Sequence, residues 1–133
     1  MIKEFCTYIA NNTSFTLGTD LFAISVDSDK IDECVVIAET GAGLAHGLLT
    51  DYRQIPLTVY TRAKNSRFTA RDDAYTVFDL LHGKQQISLT AIGSGSIYVC
   101  NFECRTPYYL GLDESGRRHG YAMPIDVTVT NML

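Results

Sequence analysis

The side chains that could do chemistry in this chain concentrate in one run, Leu112–Gly120, "LDESGRRHG", where Arg117, Arg118 and His119 lie between two glycines. Cations on a glycine-flexed loop are the raw material of a phosphate or carboxylate site. A phosphate loop also needs glycines spaced so that backbone N–H groups converge, a lysine and a following helix. This run has no such spacing and no lysine, and it passes into an alternating apolar segment. "HGKQ" has a Gly-Lys pair but lacks the upstream glycine and the Ser/Thr that would hold magnesium. "GSGS" lacks the third glycine of a dinucleotide loop, and a strand-like segment follows it.

Other groupings are equally incomplete. His46, His82 and His119 lie far apart, and there is no HExxH or GxSxG. Asp79 and His82, three residues apart, can hydrogen-bond on a helix, yet no nucleophile or pocket accompanies them. An exposed pair at a helix end explains them as well, since a helix C-terminus favours protonated His82. Asp72 and Asp73 are adjacent, so on a helix they point apart and form no dyad. Acids in a first helical turn complement its positive end, and capping is their reading. The chain has four cysteines, Cys6, Cys34, Cys100 and Cys104, with no CxxC. Cys100 and Cys104 on one strand would stand about 13 Å apart, beyond the ~7 Å Cα separation a disulfide allows. Buried reduced thiols are expected. No catalytic, metal-binding or cofactor-binding residue is assigned, and no cofactor is expected.

The elements that carry these residues can be read from periodicity. Ile2, Phe5, Cys6, Ile9 and Ala10 form the stripe of an amphipathic helix. "LFAISV" (21–26) reads as a strand and Glu33–Glu39 as a central strand buried on both faces. "TGAGLAHGLLTDYR" is a glycine-rich connection. "QIPLTVYTRA" alternates, with Ile55, Leu57 and Val59 on one face, and Pro56 suits an edge or a strand start. A second helix is expected over 69–82, with Thr69 and Asp72 as a capping box and Ala70, Ala74, Val77, Phe78 and Leu81 as its stripe; Gly83 ends it. "QQISLTAI" and "IYVCNFECR" are strands. Tyr121, Met123, Ile125, Val127 and Val129 share one face of the last strand. The order α-β-β-β-α-β-β-β predicts an α+β domain, a mainly antiparallel sheet packed by two helices.

The chain is 133 residues long, which bounds it to one domain spanning 1–133, and 46% of residues are apolar. The net charge of −4 argues against a nucleic-acid binder working through a broad positive field. No apolar run is long enough for a membrane span. The first dozen residues lack a signal-peptide core, so synthesis and retention in a cytoplasm, or release from there in a virion, is expected. Between Tyr52 and Arg71 stand Arg53, Arg62, Lys64, Arg67 and Arg71 with no acid. This segment reads either as a contact for an acidic partner, another copy included, or as a solvated loop. Asp113, Glu114, Arg117 and Arg118 give the hairpin at 110–121 mixed charge; "DESG" is good turn chemistry, and the flanking tyrosines suit a protein interface.

Three segments, "MIKEFCTYIANNTSFTLGTDLF", "VYTRAKNSRFTARDDAYTVFDLLHGKQQISL" and "TPYYLGLDESGRRHGYAMPIDVTV", resemble the phage minor capsid protein family of long-tailed bacteriophages and prophages. Members of that family are similar in size and element order to tail terminator (tail-completion) proteins. The resemblance implies a tail-terminator-like fold and a structural protein without enzymatic activity. It further implies a hexameric ring that caps the tail tube and joins it to the head connector, placing the protein in the tail or neck of a virion made in a bacterial cytoplasm. The implied partners are other copies of the chain, the tail tube protein and a head-completion or connector protein, with DNA passing through without specific binding. The alternatives are a head-completion or connector protein of the neck, or a small enzyme with an unrecognised site. "AISVDSDKIDE" and "AETGAGLAHGLLTDYR" carry no part of the resemblance. For a ring, a head-to-tail contact is expected between Arg62, Lys64, Arg67 and Arg71 on one side and Asp113 and Glu114 on another. Arg117 and Arg118 complete the candidate interface.

Overall fold

The computed structural model describes residues 2–24, 31–40, 44–45, 52–64, 66–93, 95, 97–114 and 116–132. Its elements are α1 (Ile2–Asn12), β1 (Leu21–Ala23), β2 (Cys34–Glu39), β3 (Leu44–Ala45), β4 (Tyr52–Ala63), α2 (Arg67–Leu81), β5 (Ile87–Thr90), β6 (Ile97–Cys104), β7 (Tyr108–Leu112) and β8 (His119–Met132). The expected α+β order holds, with two short strands added. One is β3; the other, β7, is the first arm of the expected hairpin.

The sheet runs β1-β2-β4-β8-β6-β5, with β3 on β4 and β7 on β8. Among the described strands only the β1–β2 pair is parallel. Its spine is the β4–β8 ladder, unbroken from Tyr52↔Thr130 to Ala63↔His119. Alternation sends Leu57, Val59, Met123, Ile125, Val127 and Val129 to one face, where all are buried. Cys100, Phe102 and Leu89 join them from β6 and β5, and both helices lie over this face. From α1, Phe5 sets its ring 5.3 Å from that of Phe102. On α2, the Ala70 carbonyl accepts a 2.7 Å hydrogen bond from the Thr61 hydroxyl of β4.

Pro56 stands neither at an edge nor at the strand start expected of it, since β4 begins at Tyr52 and is paired on both sides. Its missing N–H costs no ladder bond. Strand β2 stops at Glu39↔Leu57 and β3 begins at Leu44↔Gln54, so Pro56 faces the gap between them. Its carbonyl accepts there from Thr40 N at 3.2 Å. Pro124 of β8 repeats the device. The β6 ladder ends at Cys104↔Ile125 and the β7 ladder starts at Tyr108↔Ala122. In that gap the Pro124 carbonyl accepts from Arg105 N at 3.0 Å. Each proline therefore sits where its spine strand changes outer neighbour.

Helix α2 begins earlier than its apolar stripe suggested. Ser66 is the N-cap, its hydroxyl oxygen accepting from Phe68 N at 3.1 Å, and Thr69 lies inside the helix. Asp72 and Asp73 consequently fall beyond the first turn and do not cap it. Gly83, at φ +73°, turns the chain after the His82 C-cap as expected. The His82 ring stacks on Phe78 at 4.6 Å.

All four cysteines are buried with free thiols. Burial pushes Cys6 and Cys100 up to about 11 and Cys104 up to about 12, and it raises Cys34 as well. Thiols held neutral in this way are poor nucleophiles and behave as small apolar groups.

Candidate assembly interface

The β7–β8 hairpin closes over Asp113–Arg118. Asp113 N donates to the Arg118 carbonyl at 2.9 Å, and Gly116 N to the Asp113 carbonyl at 2.9 Å. Below the turn the register slips between Tyr109 and Gly111. Gly111 adopts φ +98°, which a side chain would resist, and the bulge re-aims Leu110 outward. Tyr109 leans on Tyr121 with ring centroids 5.4 Å apart, and its hydroxyl lies 2.7 Å from His119 Nδ1. His119, a candidate ligand by residue type, is thus engaged within the hairpin.

The pairing Ala63↔His119 puts this turn beside the turn that leads from β4 into α2. The two charged segments of the sequence therefore meet at one pole of the molecule, and Asp32 gathers them. Arg118 is only 5% exposed; its Nε donates to Asp32 Oδ1 at 3.0 Å, and its Nη1 lies 3.9 Å from Asp113 Oδ2. Lys64 Nζ lies 3.9 Å from Asp32 Oδ2. Arg62 donates to the neighbouring Ile31 carbonyl. Arg67 and Arg71 instead lie exposed on α2, over the rings of Phe68 (5.3 Å) and Tyr75 (4.6 Å). Glu114 and Arg117 are exposed at the hairpin tip.

This placement matters for the head-to-tail contact drawn from the sequence. Asp113 and Glu114 are not on a different side from the basic segment. They share its pole, and Asp113 is engaged within the chain. Nothing in the sequence marked Asp32, which lies in a polar connection 86 positions from Arg118.

The same pole exposes apolar surface. Phe68 (60%), Tyr108 (51%), Tyr109 (41%), Leu110 (52%) and Leu112 (54%) are all solvent-facing. The strand that carries four of them, β7, has β8 on one side and none of the described strands on the other. Aromatic and arginine side chains around an unpaired apolar strand are the composition of a protein–protein contact. Among the described residues no group of three or more His, Cys, Asp or Glu is placed to hold a metal. No helix among them is long and apolar enough to cross a membrane.

One carboxylate near the pole is strained electrostatically. Burial, then a hydrogen bond with Glu33, then the charges of Glu33, Asp20 and Asp72 push Asp73 up to about 7. A carboxyl with a raised folded-state pKa makes the folded state the better proton binder, so stability falls as pH rises between about 4 and 7. Asp73→Asn will relieve this. The expected gain is about 1–2 kcal/mol at pH 8, after allowance for solvent screening of a partly exposed group, and much less at pH 5. Urea unfolding at both pH values measures it; an equal shift at pH 5 and pH 8 would rule out the charge origin.

No curated protein and no solved structure matched the sequence. A family model described as bacteriophage tail terminator protein matches residues 8–131, from α1 into the last turn-free stretch of β8. The match spans nearly the whole chain and takes in the end of α1, all of α2 and the charged pole, and the chain therefore belongs to the bacteriophage tail terminator family.

Proposed function

We propose that the chain is a tail terminator subunit that assembles into a ring, of six as the family resemblance implies, caps the tail tube and presents a surface to the head connector. The observation that carries this reading is the exposed apolar, tyrosine- and arginine-bearing pole on a member of a tail-protein family. A ring subunit works through contact faces; at this pole Arg118 and Lys64 are held by Asp32, while Arg67, Arg71, Glu114 and Arg117 stay exposed. Its partners are then other copies of itself, the tube protein and the connector, with DNA passing through the ring unbound. It carries out no catalysis.

Light scattering with negative-stain imaging tests the reading, both on the protein alone and on tail tubes. Rings on tube ends are the expected result. Particles that fail to form in both settings would remove it. Leu110→Asp together with Leu112→Asp will weaken assembly or tube capping by tenfold or more. Thermal stability will stay within about 0.5 kcal/mol of wild type, because both side chains face solvent in the isolated chain.

A further inference from the structure

Glu103 of β6 and Asp126 of β8 are directly opposed across the ladder. Their neighbours Phe102, Cys104, Ile125 and Val127 face the core, so these two carboxylates stand on the face away from the helices, and both are exposed. Like charges in directly opposed positions repel, and the isolated chain is the worse for them. Beside them is a groove of about 250 Å³ whose walls include His82, Asn101 and Thr128. The pattern is that of an acceptor for a cationic side chain from outside.

The same chain carries a matching donor. Arg67 and Arg71 are four apart on α2, which sets them on one helix face about 5–6 Å apart. Directly opposed strand positions are about 4.5–5.5 Å apart, so two arginines meet two carboxylates in register. Arg67 has no carboxylate within ion-pair distance among the described residues, and Arg71 has only exposed Asp72 at 3.9 Å. A planar guanidinium is suited to paired carboxylate oxygens, and exposed Phe68 lies between the two arginines in sequence to cover apolar surface. The groove and the pole are also separate surfaces: from His119 to Asp126 is about 23 Å of β8 at ~3.3 Å per residue. A donor and an acceptor on different faces of one chain define a head-to-tail contact, the kind that closes rings.

We infer that each subunit holds the next by seating Arg67 and Arg71 at the start of its α2 against Glu103 and Asp126 in the groove of a second copy. This rests on the ring reading. It replaces Asp113 and Glu114 as the acidic half of the contact.

A charge swap tests it. The E103K/D126K variant and the R67E/R71E variant each juxtapose like charges at every junction, so each alone will fail to form rings at physiological salt. Mixed in equal amounts, they pair opposite charges at every junction, and rings of alternating subunits will return. The near-isosteric E103Q/D126N and R67Q/R71Q variants will keep the wild-type circular dichroism spectrum and assemble at least tenfold more weakly. If the wild type forms rings and either neutral variant assembles as well as it does, or the mixture fails to recover, the inference is overturned. If the wild type forms no ring alone or on tail tubes, the ring reading falls instead.

Discussion

Phe5→Ala will destabilise the protein by about 3–5 kcal/mol, the cost of removing a fully enclosed aromatic ring from a core. Phe5 has no solvent exposure, and its ring packs 5.3 Å from that of Phe102 on β6. It anchors α1 to the sheet face that also holds Met123, Ile125, Val127 and Val129. The cavity left behind cannot collapse easily, because the β4–β8 ladder is paired along its whole length and fixes the floor. A domain of this kind has about 5–15 kcal/mol in total, so the loss is a large share of its stability. Phe5→Leu keeps most of the volume and will cost roughly half as much or less. Urea or guanidinium midpoints of the two variants measure both. A Phe5→Ala loss below about 1 kcal/mol would mean that α1 is not part of the cooperative core.

The reason α1 and β8 could be read so directly is that each buries one unbroken stripe. Phe5, Cys6 and Ile9 repeat at helical spacing, and Met123 to Val129 repeat at strand spacing, so periodicity alone orients them. The start of α2 was harder to place. Its buried stripe begins only at Ala70, while the cap Ser66 and the first turn are polar or exposed, and Thr69 with Asp72 imitates a capping box inside the helix. Pro56 misled for a related reason. Sequence marks a proline as unable to donate, but whether a donor is needed depends on where β2 ends and β3 begins, which is a property of pairing. The charged segments at 62–71 and 113–118 were both visible as charge, while their meeting at one pole was not. Strand register sets that meeting, through Ala63↔His119, and it uses Asp32, which had no local signal. Glu103 and Asp126 were unremarkable for the same reason: only the β6–β8 register makes two scattered acids into a pair.

Arg118→Ala will be the second most damaging of the changes considered, at about 2–3 kcal/mol. Removing one partner of a well-buried ion pair costs about 3–5 kcal/mol. Here the arginine side chain is 6% exposed but its partners Asp32 and Asp113 are 40% and 35% exposed, so water recovers part of the loss. Arg118 also ties three pieces of chain together: the hairpin turn through Asp113, the segment before β2 through Asp32, and, through Asp32, Lys64 at the end of β4. Its loss will therefore be felt locally as faster amide exchange at the β7–β8 turn before it is felt globally. Arg118→Lys keeps the charge but not the planar fork and will fall between wild type and alanine. Arg117, its exposed neighbour, gives the contrast: Arg117→Ala will stay within about 0.5 kcal/mol of wild type. Denaturant titration of the four proteins separates the two arginines. Equal, small effects at 117 and 118 would mean that the buried pair contributes nothing to the pole. A loss confined to Arg118 would fix it as the internal tie that holds the contact surface in shape, with Arg117 left free to meet a partner.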